Sequence, residues 1–143
     1  MIVFCQGTYD ERIGQTLECI KRVGPYVDRV VIVVDDTVDE KHKDLIQMAG
    51  PADGRAEIFH HPWTDNFPEM RNNYLSHCNY GDWGLVSDPD EWFDEVFLKD
   101  LPKIIEKAEE LGYNLLLINV HDTMLKIDGS TDSSIPEFYK FLL

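Results

Sequence analysis

The chain has 143 residues, 43% of them hydrophobic and 11% aromatic, which suits one domain with a substantial core and argues against a disordered tail. Its 27 acids against 13 Lys and Arg give a net charge of −14, which argues against sequence-independent binding to nucleic acid or to an anionic membrane; a phosphorylated ligand would need a cation to bridge like charges. No apolar run nears the roughly 18 residues of a membrane span. The opening Met1–Gln6 lacks the basic lead and long apolar stretch of a secretory signal, and Cys5, Cys19 and Cys78 lack C-x-x-C spacing, so a cytoplasmic protein with buried thiols is the expectation.

Ile2–Cys5 is a short apolar run followed by Gly7, and Ile13, Leu17 and Ile20 then share one helical face before Gly24-Pro25 ends the pattern. Arg29–Val34 is β-branched and almost continuously apolar, as in a strand buried on both faces, and runs into Asp35-Asp36. A second helix is expected over Asp39–Ala49, closed by Gly50-Pro51, and a third strand over Glu57–His60. Asn66-Phe67-Pro68 reads as a helix start with proline in the first turn, and Phe67, Met70, Tyr74, Leu75 and Cys78 keep helical spacing, with Arg71 near the beginning. Trp83–Ser87 is a fourth strand. Asp100 is expected to cap a helix with Pro102 in its first turn, whose stripe of Leu101, Ile104, Ile105, Ala108 and Leu111 runs to Gly112. Asn114–Val120 supplies a fifth strand, and Asp128–Ser134 reads as a loop.

Alternating strands and helices predict an α/β domain with a mostly parallel sheet and right-handed crossovers, in which ligands bind beyond the carboxyl ends of the strands. Gly7-Thr8-Tyr9-Asp10 follows strand one, Asp35-Asp36-Thr37 strand two and Ser87-Asp88-Pro89-Asp90-Glu91 strand four, so three polar clusters should share one rim. Proline fixes its own φ and holds the preceding residue extended, so Asp88 and Asp90 can aim both carboxylates at one point, a hard-oxygen pair suited to Mg²⁺ or Mn²⁺. About five acid pairs at this spacing arise by chance in so acidic a chain, so the shared rim carries more weight than the pair. An EF-hand beginning at Asp88 fails, because Phe93 stands where glycine is required and Lys99 where glutamate is expected.

Each residue also has a plainer reading. Asp88 and Asp90 can form a solvated turn, Asp35-Asp36 a helix-capping turn, and Arg71 a pair with a surface carboxylate. Glu91 is read as a cap in preference to an acceptor behind the metal ligands. His60 and His61 are read as structural, since adjacent residues of a strand point to opposite faces. His121 can approach a metal from the end of strand five or be a satisfied core histidine. Trp83, Trp92 and Phe93 are read as core aromatics, with Trp92 a candidate for lining a sugar pocket.

In order and spacing these motifs resemble the inverting family 2 glycosyltransferases of the GT-A fold, a Rossmann-like sheet with helices on both faces. Thr8-Tyr9-Asp10-Glu11 resembles that family's first nucleotide loop, Val31–Asp36 its second strand with the terminal acid, Arg71-Asn72 before Gly81-Asp82-Trp83 its arginine helix, and Asp88-Pro89-Asp90-Glu91 its D-x-D motif. The resemblance implies that Thr8 and Tyr9 border the base of a nucleotide-sugar donor, UDP being the expected carrier. It implies that Asp35 or Asp36 accepts from the base edge, Asp36 being favoured as an acceptor fixed at a strand end. Arg71 would approach the base or the diphosphate, Asp88 the ribose or the metal, and Asp90 would be the principal ligand of Mn²⁺ or Mg²⁺ acting as a Lewis acid on the departing diphosphate.

In that family the acceptor site and the general base lie well after the D-x-D motif. The expectation is therefore a donor-binding half over residues 1–143, with the base beyond residue 143, an unassigned acceptor (glycan, lipid or protein), and an apolar C-terminal edge at Phe138–Leu143 prone to self-association. Two alternatives remain. A sugar-phosphate nucleotidyltransferase would carry a glycine-rich basic loop after strand one, which Gly7-Thr8-Tyr9-Asp10-Glu11-Arg12 is not; a non-catalytic nucleotide- or metal-binding module would bind a nucleoside diphosphate without transfer.

Overall fold

The computed structural model describes residues 1–51 and 56–116 in full, and the backbone of residues 117–120, 124–125, 131–132 and 138–142. In chain order the elements are β1 (Ile2–Thr8), α1 (Ile13–Val23), β2 (Arg29–Val34), α2 (Glu40–Met48), β3 (Glu57–His60), α3 (Phe67–Leu75), β4 (Trp83–Val86), α4 (Glu95–Glu110), β5 (Leu116–Val120), β6 (Met124–Leu125), β7 (Thr131–Asp132) and β8 (Phe138–Leu142). The first four strands form one all-parallel sheet in the order β3-β2-β1-β4. β5 pairs antiparallel with β8, and β6 with β7.

The side-chain alternation of the central strands explains the continuous apolar run of β2. Val30, Ile32 and Val34 join Phe4 of β1 on one face, packed under Ile13, Ile20 and Val23 of α1, Ile46 of α2 and Leu98, Leu101 and Ile105 of α4. Val31 and Val33 join Val3 and Cys5 on the other face under Met70 and Tyr74 of α3. With helices on both faces and all strands of this sheet parallel, the arrangement is a Rossmann-like α/β fold of the GT-A kind. Among the described residues no helix is long and apolar enough to cross a membrane.

Helix ends follow local chemistry. Asp39 caps α2 through His42 N–H and Asn66 caps α3 through Glu69 N–H, with Pro68 in the first turn. α4 begins earlier than the sequence predicts: Asp94, not Asp100, is the cap, accepting from Val96 and Phe97 N–H, and Pro102 lies inside the helix. An extra turn that buries Leu98 beside Leu101 offsets the one backbone hydrogen bond that Pro102 cannot donate. Asp100 instead pairs with Lys103 at 3.2 Å. α4 ends at the predicted Gly112 in a Schellman turn, with φ +74 there, Gly112 N–H on the Glu109 carbonyl and Tyr113 N–H on that of Ala108.

Two further readings change. Cys78 does not continue α3, which stops at Leu75. The predicted Asp128–Ser134 loop contains β7 at Thr131–Asp132, the rest of that segment lying outside the described residues. His121 and Asp122 also lie outside them, as do the side chains on which an apolar C-terminal edge would depend.

Candidate functional site

All four parallel strands point their carboxyl ends the same way, so the residues that follow them gather at one edge. A cleft of about 500 Å³ opens there, lined by Gly7 and Thr8 at the end of β1 and Tyr9 beyond it, Asp35 after β2, Trp63 after β3, and Asp88, Pro89 and Asp90 after β4. Phe67, Met70, Arg71 and Tyr74 of α3 close one side. Gly7 permits that approach: a Cβ there would sit 3.0 Å from Met70 Cγ.

The first two loops are tied together by Thr37. Its hydroxyl accepts from Asp10 N–H at 2.9 Å and donates to Asp35 Oδ1, which also accepts Thr37 N–H at 2.9 Å. Asp35 is thereby held at the cleft with no hydrogen bond to Oδ2 among the described residues. Thr8 is buried and accepts from Thr16 Oγ1 at 2.7 Å. Asp36, the acid favoured from the sequence, does not line the cleft; it is exposed and meets His60 Nε2 at 2.6 Å.

The loop after β4 is braced from three sides. Gln6 of β1 donates to Ser87 Oγ, Asp88 N–H donates to Glu91 Oε2 while Glu91 N–H returns to the Asp88 carbonyl at 3.0 Å, and Cys19 Sγ of α1 reaches the carbonyls of Pro89 and Glu91 at 3.6 and 3.4 Å. Glu91 thus closes the turn that presents the two aspartates, and burial pushes the Cys19 thiol pKa up.

Each aspartate faces an arginine. Arg71 Nη2 lies 3.4 Å from Asp88 Oδ2, and Arg12 Nη2 lies 3.6 Å from Asp90 Oδ2. Arg12 is held from behind, donating to Tyr9 Oη at 3.0 Å and to Gln15 Oε1 at 2.8 Å; the tyrosine hydrogen bond is the main reason its pKa is raised. Sequence reasoning passed over Arg12, although a basic residue in an acidic loop after β1 was visible. In a chain of net charge −14, the two cationic side chains that line the cleft stand opposite its two adjacent carboxylates.

The remaining candidates fall elsewhere. His61 binds Glu69 and Asn73, and among the described residues no group of three or more His, Cys, Asp or Glu is placed to hold a metal by itself. Trp83 is buried, donating to Glu109 at 2.8 Å, and Phe93 packs edge-on to Phe4. Trp92 is exposed under Arg22, 4.2 Å from guanidinium to ring, and does not line the cleft. Trp63 and Phe67 do, as an edge-to-face pair with centroids 4.9 Å apart. Cys5 and Cys78, remote in sequence, bring their sulfurs to 3.4 Å as free thiols. Their shared hydrogen bond holds the Cys78 pKa down and drives that of Cys5 up, burial adding to the rise.

The family model for glycosyl transferase family 2 matches residues 2–141 of the chain. No curated protein matches it. The chain belongs to glycosyl transferase family 2, the family its strand-end motifs resemble.

Proposed function

We propose that this glycosyltransferase domain binds a nucleoside-diphosphate sugar, with UDP as carrier, and passes the sugar with inversion to an acceptor hydroxyl. The observation that carries the reading is the shared cleft, in which Thr8, Tyr9, Asp35, Arg71, Asp88 and Asp90 converge from three strand ends and one helix. Tyr9 and the Trp63–Phe67 pair offer aromatic surface to a base, and Asp35, fixed by Thr37, offers an acceptor to a base imide N–H. At the other end Arg71 and Arg12 offer charge-assisted donors to phosphate oxygens.

A divalent cation fits this donor set. Mg²⁺ and Mn²⁺ sites on nucleotides use one or two carboxylates, completed by substrate phosphates and water, and Asp88 and Asp90 supply two without a third protein ligand. When bound, Mn²⁺ or Mg²⁺ would neutralise the diphosphate as it departs. The protein's own task is to hold both carboxylates on a braced loop and to offer the guanidiniums of Arg12 and Arg71 to the phosphates. No general base is assigned among the described residues.

Calorimetric titration of UDP into the protein tests this, with Mn²⁺ and then with chelator. Binding that requires Mn²⁺ is expected. Equal affinity in both conditions removes the metal, and no binding to UDP or to other nucleoside diphosphates in either removes the donor reading.

A further inference from the structure

Tyr74 is at once among the most buried side chains of the protein, 1% exposed, and a lining residue of the cleft. Its ring packs with Val3, Cys5, Val31 and Val33 beneath α3, which the apolar spacing of that helix accounts for. Its hydroxyl is not accounted for in this way. Oη has no hydrogen-bond partner among the described residues, a cost of desolvation that a phenylalanine would avoid. Burial raises the phenol's pKa well above the ordinary range and Asp88 reinforces the rise, whereas Arg71, whose guanidinium approaches the hydroxyl without reaching hydrogen-bond geometry, opposes it; the group stays a neutral donor.

We infer that Tyr74 is a ligand-binding residue of the cleft whose hydroxyl donates to a phosphoryl oxygen of the bound diphosphate, beside Arg71. The inference deepens the nucleotide reading above and rests on it. Three observations select this end of the ligand. Tyr74 lies one helical turn after Arg71, so both side chains share a face of α3. Arg71 in turn lies 3.4 Å from Asp88 Oδ2, which sets that face beside the D-P-D loop. An orphan O–H beside a guanidinium presents donors that converge on one place, and an anionic oxygen satisfies both. Without a partner the hydroxyl is a cost; with a diphosphate bound it becomes a buried, charge-assisted hydrogen bond.

Tyr74→Phe removes one oxygen and keeps the ring, so fold and binding separate. The melting temperature is expected to hold or rise, because an unpartnered buried polar atom has been deleted. Affinity for UDP with Mn²⁺, and for inorganic pyrophosphate with Mn²⁺, is expected to fall about ten- to a hundredfold, while affinity for uridine is unchanged. Tyr26→Phe, which alters an exposed hydroxyl bound to Glu95, should change none of these. A drop in melting temperature would mean that the hydroxyl has a partner in the unliganded fold, and unchanged UDP and pyrophosphate affinity would mean that it has none in the complex; either overturns the inference. A loss confined to uridine moves the hydroxyl to the base and overturns the phosphate assignment. If the wild-type protein binds neither UDP nor pyrophosphate, the nucleotide reading itself falls and takes this ligand with it.

Discussion

Gln6 Nε2 on β1 donates to Ser87 Oγ at the end of β4 across 3.1 Å, with both residues buried. This bond joins the two strands where β4 gives way to the aspartate loop. Among the described residues the Gln6 Oε1 atom has no hydrogen-bond partner, so losing the bond would leave the buried amide with little beyond the neighbouring Cys19 thiol.

Ser87→Ala should therefore destabilise the fold by about 1–3 kcal/mol and weaken nucleotide binding as well, because the loop carrying Asp88 loses a brace. Urea denaturation and UDP titration of the same variant measure the two effects. Unchanged stability would show that the amide finds another partner at no cost.

Asp90→Ala should abolish the dependence of UDP binding on Mn²⁺. Asp90 is half exposed and paired with Arg12 at 3.6 Å, so its removal should leave the melting temperature nearly unchanged. A variant that still responds to Mn²⁺ as the wild type does would assign the cation elsewhere.

Arg71→Ala should cost about 1.5–3 kcal/mol in nucleotide affinity, the range of a hydrogen bond to a charged group, and little in stability, since Arg71 is exposed and its pair with Asp88 spans 3.4 Å. Equal affinity with an equal melting temperature would return Arg71 to the role of a surface ion-pair partner.

Cys78 should be the most readily alkylated thiol. The hydrogen bond with Cys5 lowers its pKa, so its thiolate appears below pH 9.0, where an ordinary thiol is still mostly protonated, and its reaction with iodoacetamide should start at correspondingly lower pH. Cys5 and Cys19 are buried, with raised pKa values, and should stay unmodified in the native state. Peptide mass spectrometry across a pH series would show the order, and modification of Cys19 before Cys78 would contradict it.

Local pattern in the sequence was enough for most of the fold. Short apolar runs placed β1 to β4 and period-3.6 repeats placed α1 and α3 to within a few residues, because burial is a local demand on residue type and spacing. The helix start at Asn66 and the glycine stop at Gly112 were legible from the local chemistry of those residues, whereas Asp39 was read as the first residue of α2 and proves to be its cap. The parallel sheet followed from the alternation of elements, and the gathering of Thr8, Asp35 and Asp88 at one edge followed from the parallel sheet.

What the tertiary structure decided were relationships between residues far apart in the chain. Which of two adjacent aspartates faces the cleft depended on Thr37 taking Asp35 and His60 taking Asp36. Arg12 became a site residue because Asp90, on another strand's loop, lies opposite it, and Cys5 and Cys78 became a pair because β1 runs beside the turn after α3. The start of α4 was misplaced because burial of Leu98 in a distant core outweighed the local signal of Pro102. Tyr74 shows the division within one side chain. Helical spacing predicts its buried ring, whereas the orphan hydroxyl is set by neighbours from other elements, since hydrogen bonding depends on ångström-scale placement of groups that sequence spacing does not encode.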